Sequence, residues 1–135
     1  MAPGNGESRY EGVHCSLAIR PMAGGVVVLE ITGTDVGEFG NAPMERLTDC
    51  LAGTSPIRLF IDARNVRGAS IEVSAGWAQW LRAQRVRLSE VHMLTGSRFV
   101  EITADFVRRF ADLEAIMRVY TEPAAFDAAL KEAAQ

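Results

Sequence analysis

Two cysteines, Cys15 and Cys50, and two histidines, His14 and His92, are the whole supply of thiols and imidazoles in this chain. No Cys-x-x-Cys pair and no His-x-x-x-His spacing occurs, so the short-spaced structural zinc patterns are excluded and no metal site is expected. A Cys15–Cys50 disulfide is disfavoured in a reducing compartment, and both thiols read as small buried apolar side chains. His14 and Cys15 are adjacent, which in a strand sends them to opposite faces and makes a poor Cys–His pair. Asp62, Ser70 and His92 are the remaining reactants an enzyme could use. His92 falls in the middle of an expected strand, well short of the loop that holds Ser70, so proton transfer between them is not expected. Ser74-Ala75-Gly76 is not a nucleophile elbow. Gly33, Gly37 and Gly40 lack the Gly-x-Gly-x-x-Gly order of a dinucleotide site, and Thr95-Gly96-Ser97 lacks the lysine of a phosphate loop. The expectation is a protein that binds rather than turns over, with no cofactor.

The elements that must position these residues follow from length and pattern. The 135 residues fit one domain, and a hydrophobic share of 48% is enough for a packed core. A net charge of −3 gives no reason to bind nucleic acid, which needs a basic face. No apolar run approaches the roughly 20 residues of a membrane span, and the first residues do not read as a secretory signal. A soluble, cytoplasmic protein is expected. Residues 1–12, rich in Gly, Ser and charge, read as a flexible leader, and residues 13–135 as the domain.

Within the domain, strands are expected at residues 13–20 and 26–31, joined by a short turn that makes them an antiparallel hairpin. Apolar runs and helical periods then alternate. A helix over 41–52, with Asn41 as cap and Gly53 as left-handed stop, precedes a strand at 57–61. A helix over 71–84 carries Val73, Trp77, Trp80 and Leu81 on one face. A strand at 91–94, a helix over 98–110, a strand at 116–120 and a final helix opened by Pro123 complete the chain. Phe99, Ile102, Phe106 and Phe110 are expected inward on the 98–110 helix, with Val100 and Val107 widening the stripe. An arc that wide is buried on both sides, covers an apolar pocket, or pairs with another chain. Right-handed crossovers make successive strands parallel. The fold class is therefore α/β, a single mixed five-stranded sheet, mostly parallel, with its first strand antiparallel at an edge.

In such a sheet, ligands bind beyond the carboxyl ends of the strands. That rim gathers Thr34, Asp35, Thr95, Ser97 and Arg98 as a candidate anion or ligand site. Asp62, Arg64, Arg67 and Ser70 form a candidate phosphosite or partner surface. Helix N-termini favour anions, and arginine grips phosphate or carboxylate with two prongs. Each residue also has a plainer role: Ser70 and Ser97 as helix caps, Asp62 as a loop tether, Arg64 and Arg67 as solvated charges. Trp77 and Trp80 read as core, and an exposed one would mark a partner surface.

The order of elements, together with Leu59-Phe60-Ile61-Asp62-Ala63-Arg64-Asn65-Val66, the tryptophan-bearing stretch 75–82, His92-Met93-Leu94-Thr95-Gly96-Ser97 and the ending 119–130, resembles the STAS domain of bacterial anti-sigma-factor antagonists. More narrowly, it is similar to the STAS-like proteins whose fold is shared with CRAL–TRIO lipid-binding domains. The resemblance implies a non-enzymatic regulatory module that binds a protein partner or associates with itself. Alternatively, it implies a carrier or sensor of a small amphipathic ligand, held between the third helix and the sheet in an apolar cavity lined by Phe99, Val100 and Phe106. In the antagonist branch a serine at the start of the helix after the third strand is phosphorylated, and Ser70 is the positional match. The Asp before that serine and the Gly just after it are absent from Arg67-Gly68-Ala69-Ser70-Ile71.

Overall fold

The computed structural model describes residues 6–53 and 56–135. Among the described residues, six strands and four α-helices form one mixed sheet with helices on both faces. The strands are β1 (Ser8–Glu11), β2 (Cys15–Met22), β3 (Val26–Asp35), β4 (Ile57–Ala69), β5 (Leu88–Thr95) and β6 (Met117–Tyr120). The helices are α1 (Ala42–Cys50), α2 (Ile71–Gln84), α3 (Arg98–Phe110) and α4 (Pro123–Ala133). Spatial order equals chain order. β1, β2 and β3 pair antiparallel, while β3 to β6 run parallel.

The sheet has six strands, not five, because part of the expected leader is β1. Ser-Arg-Tyr-Glu carries one apolar side chain, too little to register as a strand pattern. It pairs with β2 through backbone hydrogen bonds, with Tyr10 opposite Leu17, and Tyr10 packs on Phe39 at 5.7 Å between ring centroids. Arg9 and Glu11 face solvent, as suits an edge strand that must not recruit a neighbour.

The central strands are apolar on both sides because both sides are covered. Val27, Leu29, Leu59, Ile61 and Val91 meet α1, α2 and α3, through Leu47, Leu51, Trp80, Leu81 and Val107. Val26, Val28, Phe60 and Leu94 form the opposite face, packed on Phe126 and Ala133 of α4.

Two elements outrun the sequence expectation. β3 continues to Asp35 and β4 to Ala69, so Thr34, Asp35 and residues 62–69 lie in strands where loops were expected. Their pairing slips twice. Between Glu30 and Thr32, β3 advances two residues while β4 advances three, from Asp62 to Asn65, which is a bulge. Close beside it Gly33 adopts φ +85°, and a Cβ there would collide with the His14 carbonyl oxygen. Strict alternation would set Arg67 on the same face as Ile61 and Ala63. The extra residue moves Val66 to that face; at the second slip, between Gly33 and Thr34, Arg67 is passed over and turns outward, and Ala69 returns to the face beside Asp35.

The helices also differ in detail. Asn41 occupies the cap position of α1 without a side-chain hydrogen bond, and Gly53 does not take a left-handed conformation, since the helix has already closed at Leu51. The larger correction concerns α3, which is rotated from the expected orientation. Val100, Ala104 and Val107 face inward. Phe99, Ile102, Phe106 and Phe110 lie between 41% and 60% exposed. Both sets recur at helical spacing, so periodicity alone cannot choose between them. The small inner residues let α3 sit close to the sheet beside α2, whose tryptophans already fill that layer.

Candidate functional site

The carboxyl-terminal ends of β3, β4 and β5 make a rim, and the sheet divides its residues between two faces. Asp62 and Arg64 belong to the α4 side. The Arg64 guanidinium donates to Asp62 at 3.0 Å and to Asp127 of α4 at 2.6 Å. These two hydrogen bonds, Asp62 foremost, hold Arg64 further toward its charged form. Asp62 Oδ1 also accepts the Arg64 backbone N–H, the tether role. His92 lies on this face too, stacked on Phe60 at 4.2 Å and hydrogen-bonded to Tyr120 and Glu90. Thr95 is buried and donates to the Tyr120 carbonyl.

Ser70 and Asp35 belong to the other side, so the three candidate reactants Asp62, His92 and Ser70 are not brought together. Ser70 Oγ accepts the Val73 N–H at 3.2 Å, and Ser97 Oγ accepts the Val100 N–H at the same distance; each caps its helix. Arg98 is exposed and paired with Glu101 one helical turn on. Arg67 is exposed. Thr34 pairs with Gly68 across β3 and β4. Of the nine rim candidates, Asp35 and Ser70 share the wall of one cleft, Thr34 lies on the opposite face of β3, and the arginines turn away from both.

Asp35 is the centre of what the rim does assemble. It is only 7% exposed. Its Oδ1 accepts the Gly37 N–H at 3.1 Å and its Oδ2 accepts the indole N–H of Trp77 at 3.4 Å. No basic side chain pairs with it among the described residues. Inward of Asp35 lies an apolar cavity of about 100 Å³ between β4, α2 and α3, with Val66, Gly68, Trp77, Val100 and Ala104 in its wall. Phe99 and Val100 line it as expected of such a cavity; Phe106 does not, because it points to solvent. Outward lies a cleft of about 420 Å³ bounded by residues 36–41, α1 and the first turns of α2, with Phe39, Met44, Ser70 and Glu72 among its walls. Asp35, Val73 and Trp77 border both spaces.

Two features of this site were not visible in the sequence. Glu38 accepts the backbone N–H groups of Val13 and His14, at 3.1 and 3.0 Å, and so pins the cleft-forming segment to the turn before β2. The bulges that bring Val66 and Ala69 to the cavity leave no residue signature. Trp80, in contrast, is core: it is 9% exposed, donates to Thr48 Oγ1 at 3.0 Å and packs edge-on against Trp77. Burial, and then the carboxylates of Asp35 and Glu38, push the Cys15 thiol up to about 11. A thiol so shifted is a poor nucleophile at neutral pH. Burial also raises Cys50, and both cysteines are free. No helix among the described residues is long and apolar enough to cross a membrane.

The chain is similar to an uncharacterized protein of the DUF3478 family from Shewanella loihica PV-4, described as having a SpoIIAA-like fold. The superposition covers 91% of this chain and 99% of that one, with a TM-score of 0.63 at 14% sequence identity. The fold is therefore SpoIIAA-like, that is, STAS-like. No protein-family model matches the chain, and no curated protein matches it significantly.

Proposed function

We propose that this chain is a non-enzymatic STAS-like regulatory module that receives a small amphipathic molecule between α2, α3 and the sheet. The observation that carries the reading is the pair of spaces that share Asp35, Val73 and Trp77 as a common border. The apolar cavity of about 100 Å³ is smaller than the engineered cavity of about 150 Å³ that takes up benzene, so it suits only the end of a hydrocarbon chain. The wider, more polar cleft beyond Asp35 suits the rest of such a molecule. α3 forms the lid with its Val100–Ala104–Val107 side, so an occupant that shifts α3 would also shift its outer face.

Native mass spectrometry of the protein purified from its own cells tests this. The expected result is a non-covalent adduct that organic solvent releases. A bare chain mass, with no uptake of added medium-chain amphiphiles, would refute it.

A second reading, docking of a protein partner or of a second copy, is favoured by the outer face itself. Phe99, Ile102, Phe106 and Phe110 make an unbroken apolar stripe along α3, of the sort that marks an interaction surface. Phe106→Glu leaves folding intact under this reading and abolishes any concentration-dependent association in sedimentation velocity. Association that persists in Phe106→Glu would remove α3 from it.

A further inference from the structure

We infer that the molecule received by the α2–α3 cavity carries a hydrogen-bond donor at its polar end, best a primary ammonium, and not a carboxylate or phosphate. The inference rests on the cavity reading and adds the chemical class of the headgroup, reversing the anion preference that the rim arginines had suggested.

The two spaces have no Lys, Arg or His in their walls among the described residues, but two carboxylates, Asp35 and Glu72. Asp35 is the more telling. A carboxylate offers about four lone-pair sites, and the Gly37 N–H and a long bond from Trp77 occupy two. It is nearly fully buried, lies at the junction of cavity and cleft, and has no cationic partner there. A buried carboxylate in that state is costly, and a donor or cation delivered by a ligand offsets the cost. An anionic headgroup would meet Asp35 with nothing to neutralise either charge.

One feature points the other way. The N-terminus of α2 opens on this cleft, and free helix N–H groups attract anions. Here Ser70 Oγ takes the Val73 N–H, and Glu72 stands in the first turn and answers the partial positive charge. The arginines that could have reversed the balance are elsewhere: Arg64 is held by Asp62 and Asp127, and Arg98 pairs with Glu101.

The test is a calorimetric titration of the full chain with octylamine, 1-octanol and octanoate, octylamine and octanoate below their micellar concentrations and 1-octanol below its solubility. The expected order is amine, then alcohol, then acid, with octanoate at least about tenfold weaker than octylamine, about 1.4 kcal/mol. Asp35→Asn, checked for a native melting transition, is expected to narrow the amine–acid gap. Glu72→Gln, on the exposed rim, narrows it less and perturbs no cap. Octanoate binding as tightly as octylamine would overturn the headgroup assignment and leave the cavity reading standing. An amine preference unchanged in both variants would assign it to the net negative charge of the chain and equally overturn the assignment. Failure of all three probes to bind would remove the cavity reading, and this inference with it.

Discussion

Ala69→Val puts the cavity to a test in which two readouts must move in opposite directions. Ala69 lines the cavity wall and pairs with Asp35 across β3 and β4, on the face turned to the cavity. It lies in β4, where a β-branched residue suits the backbone. The two further carbons of valine, at about 0.8 kcal/mol each, would enter otherwise empty apolar space. A separate route gives a ceiling: about 24 cal/mol per Å³ of cavity over about 100 Å³ is about 2.4 kcal/mol. Both routes converge on about 2 kcal/mol, which for a domain of this size raises Tm by about 7 °C. The filled cavity should at the same time take up 1-octanol at least about tenfold more weakly, about 1.4 kcal/mol. Differential scanning calorimetry and titration on the same sample read both. A lower Tm would mean the space is already occupied by side chains, and unchanged octanol binding would place the ligand elsewhere; either result refutes the reasoning.

Other perturbations separate structural from functional roles. Trp80→Ala should destabilise by about 3–5 kcal/mol in urea unfolding, because it empties a buried indole site and removes the bond to Thr48. Ser70→Ala should cost about 1 kcal/mol as a lost cap, while Ser70→Asp, which also caps, should melt within about 0.5 kcal/mol of the parent. If Ser70→Asp instead unfolds the start of α2 by hydrogen exchange, the serine is more than a cap. The Cys15 thiol is raised from 9.0 to about 11 in the folded chain. The folded state therefore keeps its proton while the unfolded state loses it. Stability from this group is complete below pH 9 and is lost as pH climbs to about 11. Cys15→Ala should remove that fall from a stability–pH curve, and an unchanged curve would show that another group causes it.

Much of the fold was legible because its signals are local. The run Val26-Val27-Val28-Leu29 reads as a strand buried on both faces, and it is one. Ser70 and Ser97, each followed by a helical period, mark the true starts of α2 and α3. What escaped depends on partners distant in sequence. β1 exists because β2 offers it a backbone ladder, a fact that Ser-Arg-Tyr-Glu cannot announce. α3 carries two apolar faces, and only the space left by α2 decides which turns inward. The rim was legible as a list of residues but not as a site, since the two slips in β4 send Arg67 to solvent and Val66 to the cavity. The same strand draws Arg64 to Asp127 on the far face. Of the arginines expected at the rim, Arg64 lies on the α4 face and Arg67 and Arg98 are exposed, while Asp35 stands at the mouth of an apolar cavity.

The central claim is that the space between α2, α3 and the sheet admits a ligand. Methyl-resolved NMR during titration with 1-octanol tests it most directly. The account predicts saturable shifts at Val66, Val73, Val100 and Ala104, with Ile102 on the outer face of α3 moving far less. Shifts confined to Ile102 and its exposed neighbours, with the cavity methyls unmoved, would contradict it.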